Sequence, residues 1–310
     1  MNIYVTCDLT NKDIFKIKEI AKKHKVYFND LVDERVPIDK NFLKSEIVFG
    51  NVPSHWIGQS KRLKWIQLES VGFGEYLGLD WKKLKNKITI TNLKGFFREP
   101  VSETILSGIL SFYRGIDRFI ILKNNKKWIG DPIRNELELL INKKVLFFGY
   151  GTINRRLHII LKPFQCYFDI IDINTKLSYI EDKIKIADII VCASPETKKT
   201  INFFDKKKLK LLKKESLFIN AGRGSLIDEK ELIKILKNKK IKGAVLDVTR
   251  NEPLKSSDSL WTCPNLILTQ HTAGGSIKET LNKVNFFEDN FKRFCLNKPL
   301  KNIINLSQGF

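Results

Sequence analysis

The stretch Lys144-Val-Leu-Phe-Phe-Gly-Tyr-Gly-Thr-Ile-Asn-Arg155 joins an apolar run to two glycines and then to a segment with helical periodicity. This order predicts a β-strand, a tight turn and an α-helix. Gly149 allows the tight turn, and Gly151 lets a pyrophosphate approach the backbone where the helix N-terminus offers free N–H groups. Asn154 stands where such turns usually carry a third glycine. The stretch therefore indicates a dinucleotide-binding unit with a GxGxxN pattern.

An acidic residue at the end of the next predicted strand supports this interpretation. Asp172 lies 23 positions after Gly149. A carboxylate there can accept hydrogen bonds from both ribose hydroxyls of the adenosine and repels a 2′-phosphate, which favours NAD. Asp169, three residues earlier, is expected to point elsewhere on the strand. The alternative is an ordinary glycine turn with an unrelated aspartate.

Apolar runs alternate with amphipathic segments along most of the chain. The runs predict strands, and the alternation predicts βαβ units, hence an α/β fold with parallel sheets. A single long helix is expected from about Pro100 to Leu122, and a last helix from about Ser276 to Phe294. The predicted strands are 3–6, 25–28, 46–49, 64–68, 87–91, 144–148, 167–171, 189–192, 216–219, 243–246 and 265–268.

Composition narrows the class of protein. Hydrophobic residues make up 43% of the 310 residues and charged residues 29%, which is typical of a globular protein in water. No run of 18 apolar residues is present, so no membrane partner is expected, and the N-terminus is predicted to be a strand rather than a signal peptide. The five cysteines are scattered with no Cys-x-x-Cys pair. Reduced thiols, a cytoplasmic location and no metal site are therefore expected.

The net charge of +21, from 55 basic and 34 acidic residues, raises the question of a nucleic-acid partner. The lysines are spread along the chain and interleaved with isoleucine and leucine on predicted helices. That distribution predicts no nucleic-acid partner, and it suits the steering of an acidic substrate.

An arginine between two glycines follows another predicted strand, in the order Gly222-Arg223-Gly224. A guanidinium presents a fixed fork of donors that suits a carboxylate or a polarised carbonyl. The carboxyl ends of strands are where open α/β sheets bind ligands. Arg223 is therefore a candidate substrate-binding residue, and the alternative is a surface turn with a solvated arginine.

A candidate proton donor comes from the four histidines. His271 follows the last predicted strand and precedes a turn of small residues, so it is the best acid–base candidate. Between Arg223 and His271, Glu252 lies in a loop just before Pro253. A carboxylate against an imidazole fixes its tautomer and stabilises its protonated form. Glu252 is the candidate for this role, with Asp247 as the competitor.

Taken in order, these motifs resemble the D-isomer-specific 2-hydroxyacid dehydrogenase family over nearly the whole chain. The intervals of 29 positions from Arg223 to Glu252 and 19 from Glu252 to His271 match the family's pattern. The resemblance implies two Rossmann-like α/β domains with parallel sheets. The NAD-binding domain, residues 98–275, is inserted into a discontinuous substrate domain formed by residues 1–97 and 276–310. A homodimer through the NAD-binding domain is also implied.

The resemblance also assigns site residues. It implies that Arg223 orients the substrate, that His271 donates or accepts the proton and that Glu252 tunes it. The loop Ser70-Val71-Gly72 resembles the stretch that binds the substrate carboxylate through backbone N–H groups. The implied cofactor-binding residues are Gly149, Gly151, Thr152, Ile153, Asp172, Ser194, Pro195, Thr200, Ala221, Gly222, Asp247 and Gly274.

The expected reaction is hydride transfer between NAD(H) and C2 of a small 2-hydroxy or 2-keto acid. The alternative is a non-enzymatic NAD-sensing regulator or corepressor on the same fold. Arg98, near the expected pocket with Phe73, Phe96 and Phe97, is interpreted either as a partner for a substrate phosphate or as a surface residue. The chain departs from the family's pattern at Asn154, His158, Gln165 and Gln270, which replaces the proline before the histidine.

Overall fold

The computed structural model describes residues 1–85 and 87–305. The chain separates into two compact units, of which the first comprises Met1–Phe96 with the described part of Ser276–Phe310, and the second comprises Phe97–Gly275. Each unit is built on one sheet whose strands all run parallel. The prediction of two α/β domains with parallel sheets is confirmed.

The first unit carries a five-stranded sheet in the order β2-β1-β3-β4-β5. Its strands are β1 (Asn2–Val5), β2 (Lys25–Phe28), β3 (Ile47–Phe49), β4 (Trp65–Gln67) and β5 (Thr89–Thr91). The helices between them are α1 (Asn11–Ile20), α2 (Lys40–Leu43), α3 (Ser54–Ile57) and α4 (Trp81–Leu84). Thr10 caps α1 in a reciprocal pair with Asp13, which satisfies two N–H groups at the helix start.

The second unit carries a six-stranded sheet in the order β11-β10-β9-β8-β6-β7. Its strands are β6 (Lys144–Phe148), β7 (Tyr167–Ile171), β8 (Ile189–Cys192), β9 (Leu217–Asn220), β10 (Gly243–Leu246) and β11 (Leu266–Leu268). Its helices are α5 (Arg98–Arg114), α6 (Ile116–Asn124), α7 (Thr152–Leu161), α8 (Leu177–Ile186), α9 (Lys206–Leu209) and α10 (Glu229–Lys237).

Both faces of the second sheet are covered. Along β6, Leu146 and Phe148 belong to one buried cluster, whereas Val145 and Phe147 belong to the other. Because alternate side chains of a strand point to opposite faces, this two-sided burial explains why the strands are continuous apolar runs in the sequence.

The last helix of the chain, α11 (Glu279–Cys295), packs on the first unit. Phe287 stacks on Phe49 and Trp65 at ring-centroid distances of 4.5 and 5.5 Å. The buried Asn290 donates a hydrogen bond of 2.9 Å from Nδ2 to Gln67 Oε1 on β4. Aromatic packing and a satisfied buried amide thus fix the C-terminal helix to the N-terminal sheet.

The prediction of a single long helix over 100–122 is wrong, because α5 and α6 are two separate helices. Gly115 lies between them in the left-handed conformation, at φ +66°. A side chain there would also approach Leu137 Cδ2 to 2.9 Å. The apolar residues on both sides of Gly115 follow the same helical period. The sequence pattern therefore continues across the glycine at which α5 ends.

The parallel topology gathers the predicted site residues of the second unit at one edge of its sheet. Gly149 follows β6, Asp172 follows β7 and Ser194 follows β8, while Arg223, Asp247 and His271 follow β9, β10 and β11. This is the carboxyl edge, where sheets of this kind bind ligands.

Candidate active site

The glycine turn after β6 has the conformation that its sequence demands. Gly149 has φ +74°, and a Cβ there would lie 2.2 Å from Ser194 Oγ, so only glycine fits. Gly151 begins α7 without a side-chain cap, and a Cβ at that position meets no atom within 4 Å. Among the described residues, no acceptor bonds to the N–H groups of Tyr150, Gly151 or Thr152. These donors and the open space beside Gly151 fit a dinucleotide's pyrophosphate.

Asp172 lies exposed just after β7. Its Oδ1 accepts hydrogen bonds from Asn174 N and Thr175 Oγ1 at 2.8 and 3.1 Å. No donor within residues 1–85 and 87–305 bonds to Oδ2, which leaves that oxygen to accept from a ribose. Asp169 is instead occupied by Lys183, at 2.8 Å, and by the Tyr179 hydroxyl, at 3.0 Å.

The segment after β8 is held by its own hydroxyls. Ser194 Oγ donates to Phe148 O at 3.1 Å, which ties this segment to the end of β6. Thr200 Oγ1 donates to Pro195 O at 2.9 Å and accepts from Thr197 N at 2.7 Å. The predicted roles of Ser194 and Thr200 at the cofactor thus coincide with structural roles in the turns.

The Arg223 turn is shaped by an asparagine and two close backbone approaches. The Asn220 side chain forms two hydrogen bonds with the turn. Its Nδ2 donates to Arg223 O at 2.9 Å, and its Oδ1 accepts from Gly222 N at 3.1 Å. A Cβ on Gly222 would lie 2.6 Å from Ser194 O, and one on Gly224 would lie 2.0 Å from the Thr249 carbonyl carbon. Gly224 therefore holds the turn directly against the loop after β10, a contact that the sequence analysis missed.

The Arg223 side chain is half-buried, and its Nη1 donates to Gly222 O at 2.7 Å. In the described part of the chain, no carboxylate lies within ion-pair distance of its guanidinium. The remaining N–H groups of a rigid fork are therefore available to an anionic ligand.

The carboxylate that contacts the His271 imidazole is that of Glu252 and not that of Asp247. Glu252 Oε2 lies 2.7 Å from His271 Nδ1, and Glu252 Oε1 accepts from Thr249 N at 2.9 Å. The buried Asp247 accepts from Thr269 Oγ1 at 2.7 Å and from Ala273 N at 3.0 Å, so it anchors the turn that carries the histidine. With Nδ1 engaged, Nε2 is the ring nitrogen left for a ligand, on a side chain that is 52% exposed.

The backbone at this turn is unusual. Gln270 and His271 both have positive φ, +53° and +57°. Proline is restricted to φ near −65°, so the replacement of the family's proline by Gln270 accompanies a conformation that proline cannot adopt. His271 N donates to Asp247 O at 2.6 Å, which holds the strained residue in place.

The loop Ser70–Gly72 of the first unit is tied back through its carbonyl groups. Asn92 Nδ2 donates to Val71 O at 2.7 Å, Ser70 Oγ donates to Gly72 O at 2.7 Å, and Leu93 N donates to Ser70 O at 3.0 Å. No acceptor among the described residues bonds to the N–H groups of Val71 and Gly72. The buried Asn92, which positions this loop, was not assigned a role from the sequence.

The other residues that the sequence analysis discussed make contacts within the protein. Phe73 is buried in the core of the first unit, and Arg98 Nε lies 3.2 Å from Glu99 Oε1. His158 Nδ1 lies 2.6 Å from the Tyr150 hydroxyl, and burial lowers the pKa of the imidazole. Gln165 has φ +57°, the conformation for which the family's glycine is suited.

Three further findings concern only the described residues. They contain no group of three or more His, Cys, Asp or Glu side chains that could hold a metal ion, and all five cysteines within them are free thiols. None of their helices is both long enough and apolar enough to cross a membrane.

Comparisons with known proteins identify the family of this chain. The model of the NAD-binding domain of D-isomer specific 2-hydroxyacid dehydrogenases matches residues 106–273. The glyoxylate/hydroxypyruvate reductase HPR3 of Arabidopsis thaliana is 30% identical over 229 residues, which cover 71% of this chain and 70% of that protein. The D-3-phosphoglycerate dehydrogenase of Escherichia coli strain K12 is 29% identical over 208 residues, which cover 63% of this chain and 50% of that protein.

A solved structure extends the likeness to 98% of the chain. The D-isomer specific 2-hydroxyacid dehydrogenase family protein of Aeromonas salmonicida superposes with a TM-score of 0.81 at 21% identity, covering 98% of this chain and 99% of that one. At that identity the likeness concerns the fold.

The parallel sheet, the glycine turn and the matching family model define the second unit as an NAD-binding α/β domain. The chain belongs to the D-isomer specific 2-hydroxyacid dehydrogenase family. NAD is therefore the cofactor of this domain, as the sequence analysis predicted, and the family supports an oxidoreductase role.

Proposed function

We propose that this protein catalyses reversible hydride transfer between NAD(H) and C2 of a small D-2-hydroxy acid or 2-keto acid. The observation that carries the proposal is the hydrogen bond of 2.7 Å between His271 Nδ1 and Glu252 Oε2. A carboxylate-held imidazole with a free Nε2 is the group that this chemistry needs to move a proton to or from the substrate oxygen.

The contacts of each residue support the role that we propose for it. When bound, NAD(H) supplies or accepts the hydride. In the reductive direction, protonated His271 donates its Nε2 proton to the keto oxygen, and Glu252 keeps the ring oriented. Arg223 donates N–H bonds to the same oxygen and to the substrate carboxylate, stabilising the charge that develops there. For the first unit taken by itself, we propose that the N–H groups of Val71 and Gly72 bind a carboxylate.

The structure favours an unphosphorylated acid as the substrate. Arg98, the candidate partner for a phosphate, pairs with Glu99 at 3.2 Å, and Glu99 also contacts Arg156 at 2.6 Å. A phosphate at Arg98 would have to compete with the Glu99 carboxylate for the guanidinium. Small keto acids without a phosphate do not face this competition.

The experiment is NADH oxidation, followed by absorbance, against glyoxylate, hydroxypyruvate, pyruvate, bulkier 2-keto acids and phosphohydroxypyruvate. NADPH is tested in parallel. We expect turnover of an unphosphorylated 2-keto acid with NADH preferred. Absence of turnover across the panel, with NADH still bound, would contradict the proposed reaction and leave the NAD-sensing regulator.

Replacing Glu252 by glutamine should lower the rate of this reaction. Glutamine can still bond to the imidazole but removes the negative charge beside it, so kcat/KM for keto-acid reduction should fall by a factor of about five. The measurement is kcat/KM at a single pH, with Glu215→Gln, an exposed carboxylate of the same unit, as the control. An unchanged kcat/KM would contradict the role of Glu252.

We also propose that the protein is a homodimer through α6. No residue of α6 is buried, although Ile116, Phe119, Ile120 and Ile121 are apolar, and Trp128 beyond it is 96% exposed. The neighbouring cavity of about 280 Å³ has an apolar lining that includes Leu122, Ile129 and Ile133. Exposed apolar and aromatic side chains of this kind are typical of a homodimer interface.

The dimer is tested by Phe119→Asp with Ile120→Asp, which places two charges in the proposed interface. We expect the wild-type protein to sediment as a dimer and the double variant as a monomer. Ile159→Asp, an exposed isoleucine on α7, is the control and should stay dimeric. A monomeric wild-type protein would overturn the assignment.

A further inference from the structure

The departure from the glycine pattern at Asn154 has a specific structure. Asn154 is completely buried in the first turn of α7. Its Nδ2 donates to Gly149 O at 2.7 Å and to Phe148 O at 3.3 Å. A third glycine has no side chain and could make neither bond. The side chain that replaces it therefore reaches back to the turn that precedes its own helix.

A second side chain of α7 acts on the same turn. Arg155 Nε donates to Tyr150 O at 2.9 Å. The carbonyls of Gly149 and Tyr150, which are consecutive, are thus both held by side chains of the helix that the turn introduces.

These bonds also fix the direction of two N–H groups. In a planar trans peptide, the C=O of one residue and the N–H of the next point in opposite directions. Because Asn154 holds Gly149 O, the N–H of Tyr150 is turned away from Asn154. The bond from Arg155 to Tyr150 O fixes the N–H of Gly151 in the same manner. Both N–H groups are without an acceptor among the described residues.

We propose that Asn154 is a positioning residue for the cofactor's pyrophosphate. Its amide holds the carbonyls of Phe148 and Gly149, and the turn is thereby preorganised with an N–H group that would be available to a phosphate. This role rests on the NAD-binding domain and is independent of the proposed reaction. Preorganisation strengthens binding because the turn loses less conformational freedom when the ligand arrives.

The amide oxygen of Asn154 lowers the stability of the folded state. Its Oδ1 is buried and has no hydrogen-bond partner in the described part of the chain, and an unpartnered buried acceptor is destabilising. Replacing Asn154 by glycine removes that acceptor, but it also removes the two bonds that Nδ2 donates and adds the backbone entropy that glycine costs in a helix. We therefore expect a lower melting temperature, and ligand affinity is compared at a temperature at which the variants remain folded.

The test compares Asn154→Gly and Asn154→Ala with Ile159→Ala, a control on the exposed face of the same helix. Dissociation constants are measured for NADH by fluorescence, for ADP-ribose by calorimetry and for adenosine by saturation-transfer NMR. Asn154→Gly and Asn154→Ala should weaken NADH and ADP-ribose about fivefold to tenfold. Adenosine, which lacks the pyrophosphate, should bind as it does to the wild type.

Two results would overturn the proposal. If Asn154→Gly, which restores the family's glycine, binds NADH as tightly as the wild type or more tightly, the amide does not position the turn. If adenosine weakens together with ADP-ribose, the side chain supports the whole domain instead. Neither result depends on turnover of a keto acid, so failure of this proposal is distinguishable from failure of the proposed reaction.

Discussion

Arg223→Ala should lower kcat/KM for keto-acid reduction by a factor of about 10² to 10³ while NADH binding is retained. The Arg223 guanidinium donates one hydrogen bond, from Nη1 to Gly222 O, and no carboxylate of the described residues forms an ion pair with the guanidinium. Its remaining donors are thus available to a developing alkoxide and to a carboxylate, and alanine supplies neither charge nor donors. Because the turn is shaped by Asn220 and by the close backbone contact at Gly224, the truncation should leave the backbone in place.

Two further variants separate charge from geometry. Arg223→Lys keeps the charge and loses the planar fork, so its activity should lie between those of the wild type and the alanine variant. Arg134→Ala removes an exposed arginine of the same unit outside the predicted site and should leave kcat/KM unchanged. The measurements are steady-state kinetics and NADH fluorescence titration. Turnover near the wild-type rate in Arg223→Ala would remove Arg223 from the mechanism.

His271→Asn should lower kcat by a factor of about 10² to 10⁴. Asparagine tolerates the left-handed backbone conformation in which His271 is held, so this variant tests the imidazole without disturbing the turn. Asparagine has no ring nitrogen that can exchange a proton near neutral pH. The pH dependence that the wild type owes to the imidazole should disappear together with the rate.

The control for this variant is His55→Asn, an exposed histidine of the first unit. It should keep both the rate and the pH profile of the wild type. NADH affinity, measured by fluorescence, should be similar in all three proteins. If His271→Asn retains the wild-type pH profile, another group transfers the proton.

Much of the fold could be predicted because it rests on local signals. Strands covered on both faces must be apolar throughout, and Gly149 must be glycine where φ is +74° and a Cβ would contact Ser194. The error at α5 and α6 has the same origin. An apolar helical period continues across Gly115, and only the chain's actual path shows that the helix ends there.

The candidate site could be predicted in part. Residue types and intervals identified four candidates, Arg223, Glu252, Asp247 and His271. They left open which of the two acids contacts the imidazole. That choice depends on how the loop after β10 packs against the turn after β11. There Asp247 accepts hydrogen bonds from Thr269 and Ala273, whereas Glu252 contacts Nδ1 of His271. A position in the sequence does not specify the direction of a side chain in a loop.

The sequence by itself determined the α/β class, the glycine turn and the order of chemistry-bearing residues along parallel strands, because periodicity and glycine positions act over a few residues. Only the tertiary structure decided that Glu252 contacts His271, that Gly224 abuts Thr249 and that Asn154 binds the turn that precedes its own helix. The first two contacts join segments far apart in the chain, and the third depends on which way an amide points. Their geometry is therefore set by packing rather than by local preference.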